Sequence, residues 1–274
     1  MYLLDWLSID IREYMEKEMI IVKFGGSLIT DKSSNTPKIN DLNLDTIGKI
    51  LNQTKYKVII VHGAGSFGHP IAKKYKMAKG IDGSSEQKKA ITNTRQQVQE
   101  LNSILSEYLK KENIDIIPII PSSTMITNGS KEILNFPFTL FDEILKKNKV
   151  PVTFGDITQD KKQGISVLSG DTLMMELTKY YKPLYSIFVM DHPGVFDRNP
   201  EEPGSEILPT VNKINLKTLR NQKNAQNVAD VTGGLIGKIE CALEMAQHSE
   251  IWITNLDLLS GFFENQPKGS MVVI

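Results

Sequence analysis

The stretch Val58-Ile59-Ile60-Val61-His62-Gly63-Ala64-Gly65-Ser66-Phe67-Gly68-His69-Pro70 decides how this 274-residue chain is read. Four β-branched aliphatic residues in succession indicate a strand buried on both faces. The glycines that follow end it, and a helical pattern then runs over 70–77. An apolar strand feeding a glycine turn and a helix is the repeating unit of parallel α/β sheets. Working outward, further strands are expected at 20–24, 57–61, 114–120, 150–154, 165–168, 185–190, 250–253 and 271–274. Helices are expected at 44–54, 70–77, 85–111, 139–147, 172–180 and 235–249. Their alternation predicts an α/β fold with a mostly parallel central sheet covered on both faces. Asn128-Gly129 signals a hairpin in the irregular middle. Residues 1–18 carry apolar side chains at helical spacing and read as an N-terminal extension before the first strand, with Met19 an alternative start.

Composition removes several classes. Lys plus Arg equals Asp plus Glu at 32 each, a balance unlike the basic surplus of a dedicated nucleic-acid binder. With 40% hydrophobic residues the chain can build a sizeable core. One cysteine, Cys241, rules out an intrachain disulfide framework and suits a cytoplasmic setting. No run approaches the ~18 apolar residues of a membrane span. Arginine occurs only at Arg12, Arg95, Arg198 and Arg220, so nearly all positive charge is lysine.

Three more apolar strands end in small residues. Ile20-Ile21-Val22-Lys23-Phe24-Gly25-Gly26-Ser27 is followed by Thr30 and Lys32. Val167-Leu168 leads into Ser169-Gly170-Asp171-Thr172. Asp230-Val231-Thr232-Gly233-Gly234-Leu235-Ile236-Gly237-Lys238 opens a helix. Glycines at the carboxyl ends of strands let a backbone approach phosphate oxygens, and a following helix start favours anions. A lysine in a helix's first turn is unfavourable against the dipole, so Lys238 is a hint of a bound anion. Two familiar phosphate motifs fail. Gly63–Gly68 fits G-x-G-x-x-G, but the next strand begins near 114, too far on for a dinucleotide unit. A Walker A loop would need glycine at Thr232 and Ser or Thr at Ile239.

With these motifs together, the sequence from Met19 to Ile274 resembles the amino-acid kinase superfamily. The run Lys23–Ser27 with Thr30 and Lys32, and His62–Pro70 with its closing His69, is similar to the isopentenyl phosphate kinases within it. The resemblance implies a three-layer αβα sandwich in a single domain over 19–274. About 19–160 would be the acceptor-phosphate lobe and about 161–274 the nucleotide lobe. It implies a homodimer that moves a phosphoryl group from ATP, with Mg2+ carried on ATP, to a small phosphate monoester, with no nucleic acid or membrane as partner.

The same resemblance assigns catalytic roles to Lys23, Lys32, His69, Asp171 and Lys238. It puts ATP on Lys23, Gly25, Gly26, Ser27, Gly65, Ser169, Asp191, Gly194, Gly233, Gly234 and Lys238. The acceptor would lie on Gly63, Ala64, Gly68, His69, Gly155 and Gly170, with no dedicated metal ligands. Candidates for the wall around its organic tail are Met77, Ile81, Ile91, Val98, Leu101, Ile133, Phe136 and Phe138. Taken singly, Asp171 also reads as a helix N-cap, Lys32 as a solvated charge, and His62 and His192 as structural. A fosfomycin kinase, another small-acid kinase and a non-catalytic nucleotide-binding regulator remain open at this point.

Overall fold

The computed structural model describes residues 19–31, 36–129, 132–225 and 234–274. Its first half contains β1 (Met19–Phe24), α1 (Gly26–Ile29), α2 (Asp41–Leu51), β2 (Lys57–His62), α3 (Gly65–Lys74), α4 (Ser85–Lys111), β3 (Ile116–Pro118), α5 (Pro121–Thr124), β4 (Ile126–Thr127) and α6 (Phe138–Lys146). The second half contains β5 (Val150–Phe154), β6 (Asp156–Asp160), β7 (Gly164–Leu168), α7 (Gly170–Tyr181), β8 (Tyr185–Met190), β9 (Thr210–Val211), α8 (Lys213–Ala225), α9 (Gly234–Met245), β10 (Glu250–Asn255) and β11 (Ser270–Val272).

The large sheet has strand order β3-β5-β2-β1-β8-β10-β11-β9. Its strands from β3 to β10 pair in parallel, and β11 turns antiparallel to β10. Alternation along β1 and β2 sorts the two faces. Met19, Ile21, Ile59 and Val61 pack with Phe141 of α6, Leu173 and Leu177 of α7, and Ile239 of α9. Ile20, Val22, Phe24 and Ile60 pack instead with Leu44 and Ile47 of α2 and Leu101 and Leu105 of α4. Two helical layers on a mostly parallel sheet form the expected sandwich. A second sheet, β4-β6-β7, stands off the carboxyl end of β5.

Several boundaries differ from the sequence reading. The strand expected at 114–120 shortens to Ile116–Pro118, because Pro118 lacks an N–H and Pro121 opens α5. Helix α3 begins five residues early, at Gly65, and carries Pro70 inside it. Strand β6 was not expected. Its buried positions are Asp156, Ile157, Thr158 and Asp160, three of them polar, so it shows no apolar alternation. The Asn128-Gly129 turn is present: the Asn128 N–H donates to the Glu132 carbonyl at 2.9 Å and Gly129 has φ +80°. The extension 1–18 lies outside the described residues.

Candidate active site

Lys23 shares strand parity with Met19 and Ile21, so its side chain leaves the sheet toward α7 and α9. Its register neighbours are Val61 of β2 and Phe188 of β8. There its ammonium forms an ion pair with Oδ1 of Asp171, in the first turn of α7. Lys238, from the start of α9, donates to the same oxygen at 3.2 Å. Both ammonium groups stand over the Phe188 ring, at 5.8 Å for Lys23 and 5.0 Å for Lys238 from its centroid. Asp171 is not the N-cap of α7. Ser169 caps it, its Oγ accepting from the Asp171 and Thr172 N–H groups at 3.2 Å each, which leaves the Asp171 carboxylate for the lysines.

The electrostatics follow from this triad. Burial lowers the Lys23 ammonium to about 8, the Lys238 charge adds to the effect, and Asp171 opposes it. Burial alone would raise the Asp171 carboxyl, but the two ammonium groups outweigh it and hold the acid well below the usual carboxylate range. One carboxylate thus keeps two cations close together in a poorly solvated site.

His62, one residue beyond Val61, faces the opposite side. It is buried, stacks on Phe154 with centroids 4.9 Å apart, and donates from Nδ1 to the Gly63 carbonyl at 3.0 Å. Burial drops its imidazole to about 4, so it is neutral at pH 7. The reading of His62 as structural agrees with this position.

The glycine turns hold two loops together. A Cβ on Gly63 would come within 2.6 Å of the Gly26 nitrogen, and one on Gly26 would overlap the Gly65 amide. Only bare backbone permits this approach. Thr30 locks it, donating to the Gly26 carbonyl at 2.7 Å and accepting from the Ser66 N–H at 3.0 Å. Three glycines expected at the ligand site use their amides in backbone hydrogen bonds that continue the sheet. Gly25 donates to Val189, Gly63 to Phe24 and Gly155 to His62, each at 3.0 Å.

Around this junction opens a cleft of about 640 Å³. Lys23, Gly25, Gly26, Ser27, Gly63, Ala64, Gly65, Gly68, His69, Gly155, Ser169, Gly170, Asp171, Asp191, Gly234 and Lys238 all line it. Gly194 does not; it packs on Ser270 and Ile207, where a Cβ would come within 2.8 Å of both. Lys32 and Gly233 lie outside the described residues. Of the tail-wall candidates, only Val98 lines the cleft. Met77 and Ile91 belong to an apolar cluster with Ile157 and Ile165, and Leu101 is core. Sequence reasoning missed Ser66, Thr94, Asp156, Ile157, Val167, Met190 and Leu235, and His192 also lines the cleft rather than serving only as structure. Gly155-Asp156, a further strand end running into glycine, was the signal that could have found the Asp156 side.

Comparison with known proteins agrees with this geometry. The model of the amino acid kinase family matches residues 18–255. An isopentenyl phosphate kinase of Methanothermobacter thermautotrophicus is 34% identical over 237 residues, covering 84% of this chain and 87% of the relative. One from Methanocaldococcus jannaschii is 34% identical over 234 residues, covering 81% and 85%. A crystal structure of isopentenyl phosphate kinase superposes with TM-score 0.79 at 28% identity, covering 93% of this chain and all of that one. The chain belongs to the amino acid kinase family and, within it, to the isopentenyl phosphate kinases.

Proposed function

We propose that the protein transfers the γ-phosphoryl group of ATP directly to isopentenyl phosphate, giving isopentenyl diphosphate for isoprenoid synthesis. The observation that carries this reading is the convergence of Lys23, Lys238 and Asp171 with His69 along one glycine-walled cleft. A phosphate monoester has its second pKa near ~6 and is mostly dianionic at neutral pH. It needs no base to become a nucleophile. The barrier is repulsion between two polyanions, so positioning and positive charge must supply the catalysis.

The residues present have these properties. Lys23 and Lys238 would contact the ATP phosphates and the group in flight, and Asp171 would hold both ammonium groups in place before the nucleotide arrives. His69, exposed to the cleft from α3, would donate to the acceptor phosphate and disfavour carboxylate or carbamate acceptors. Lys32 would add charge on the acceptor side. Asp191, Gly233 and Gly234 would lie at the nucleotide end.

Magnesium fits as an ion carried by ATP: Asp171 is committed to two lysines, and a small hard cation that keeps much of its water binds well through phosphate oxygens. It would neutralise charge shared between the phosphates. On this reading residues 19–160 form the acceptor lobe and 161–274 the nucleotide lobe of a cytoplasmic homodimer.

ATP consumption measured side by side with isopentenyl phosphate, dimethylallyl phosphate, fosfomycin and carbamate tests the assignment. Isopentenyl phosphate should show the highest kcat/KM. Preference for fosfomycin would overturn the acceptor, and silence with all four would favour a nucleotide-binding regulator.

A further inference from the structure

Asp156 is a buried carboxylate, 3% exposed, in the wall of a cleft whose proposed substrates are anions, and the phosphoryl-transfer scheme gives it no task. Its surroundings show what it does. Strand β6 is paired along one edge with β7, from Asp156 opposite Leu168 to Asp160 opposite Gly164. On the other edge β4 reaches only Gln159 and Asp160. At Ile157 no strand among the described residues lies beyond, and side chains take the place of one. The Ile157 N–H donates to Asp156 Oδ1 at 2.7 Å, and its carbonyl accepts from Arg95 Nε at 2.8 Å. Asp156 Oδ2 also accepts the Ser122 N–H at 2.9 Å, which ties α5 to the same point.

Burial raises the Asp156 carboxyl, while these N–H donors and the Arg95 charge favour its ionised form. Arg95 is one of four arginines in the chain, and it comes from α4, which also supplies Thr94 and Val98 to the cleft. The residues clamped are themselves cleft walls: Gly155 and Ile157 flank Asp156, and Ile157 packs on Ile165 and Met77.

We infer that Asp156 and Arg95 are positioning residues that together fix the Gly155–Ile157 wall at the acceptor end, and so set acceptor affinity without touching the nucleotide. The inference rests on the acceptor assignment above. The outer edge of β6 at Ile157 would otherwise be free to shift, and with it the wall that β6 contributes beside Val167 and Leu168 of β7. Arginine suits this position because one planar fork can hold a backbone carbonyl while keeping its charge near the carboxylate.

Two measurements separate the clamp from the substrate reading. By amide hydrogen exchange, D156A, which removes both acceptors, should speed exchange at Ile157 and Ser122 about tenfold or more, and D156N, which presents a donor to one of the two N–H partners, should do so at one of them. Exchange at Val22 and Phe188 in the central sheet should stay as in the wild type. Unaltered exchange at both Ile157 and Ser122 in D156A would overturn the clamp whatever the substrate is.

In steady-state kinetics with isopentenyl phosphate and ATP varied separately, D156N and R95M should each raise the acceptor KM about tenfold, the effect of roughly one lost hydrogen bond. The ATP KM should stay within about twofold, and R95K should recover most of the loss. A parallel rise in both KM values would mark general loss of structure and sink the positioning role. If wild-type enzyme ignores isopentenyl phosphate, the function reading fails, and the exchange result still decides whether the clamp exists.

Discussion

At the scale of single residues, Lys23 is the most informative side chain. Its ammonium is lowered to about 8 by burial, then by the neighbouring Lys238 charge, so it loses its proton within an accessible range. Protonated Lys23 is the form that can hold phosphate. The kcat/KM for ATP should therefore fall as pH rises through about 8 in the free enzyme. D171N removes the charge that keeps the proton on, and the limb should move to lower pH. K238M removes a like charge and should move it higher. A profile that both variants leave in place would exclude Lys23 as its origin. His69 makes a different demand. H69A should cut turnover by about 10²–10³, the usual cost of removing one oxyanion donor, while ATP affinity changes little. His62 affects stability instead. Its folded-state value of about 4 lies below the ordinary 6.5, so the unfolded chain binds more protons between these values. Stability should decline as pH falls across that window, by up to about 3 kcal/mol. H62Q should flatten this part of a melting-temperature profile measured against pH.

At the scale of elements, the glycine turns are packing devices before they are ligand cradles. The α1 and α3 starts approach so closely that a Cβ on Gly26 would overlap the Gly65 amide. G26A should cost at least about 2 kcal/mol in urea unfolding, since backbone cannot retreat as a side chain can. S84A offers a contrast. Ser84 caps the long helix α4 by accepting the Gln87 N–H at 3.1 Å, and its loss should cost about 1 kcal/mol and leave kinetics alone. Equal losses from the two would mean that the loop contact relaxes easily. The elements themselves were legible where burial is apolar. β1, β2, β8 and α4 follow directly from their hydrophobic period. β6 was illegible because it buries Asp156, Thr158 and Asp160 through hydrogen bonds, a pattern that reads in sequence as loop. α8 was missed as well: Lys213–Ala225 is strongly polar, and Ile214, Leu216 and Leu219 are its only large apolar residues.

At the scale of the molecule, the zero net charge conceals a local concentration of cations. Lys23 comes from the first strand and Lys238 from a helix more than two hundred residues later, and only the parallel sheet brings both to one carboxylate. If the cleft has an ATP end and an acceptor end, ligands should stabilise the fold separately. A ligand at 100 times its Kd adds about 2.7 kcal/mol, visible as a rise in Tm. K238M should lose the rise given by ATP and keep that given by isopentenyl phosphate, and H69A should do the reverse. Loss of both in each variant would mean a single undivided site.

The sequence by itself determined the sheet, its parallel sense and the phosphate chemistry at its carboxyl ends, because buried strands and glycine turns are local patterns with few alternative explanations. It also picked out most residues that line the cleft. It did not reveal that the Gly25, Gly63 and Gly155 amides are consumed by the sheet, nor that Ser169 rather than Asp171 caps α7. It gave no sign that Asp156 and Arg95 close an unpaired strand edge. Only the tertiary structure decided these, because the partner of a polar group is fixed by which distant backbone comes within hydrogen-bonding distance, and residue spacing along the chain carries no record of that distance.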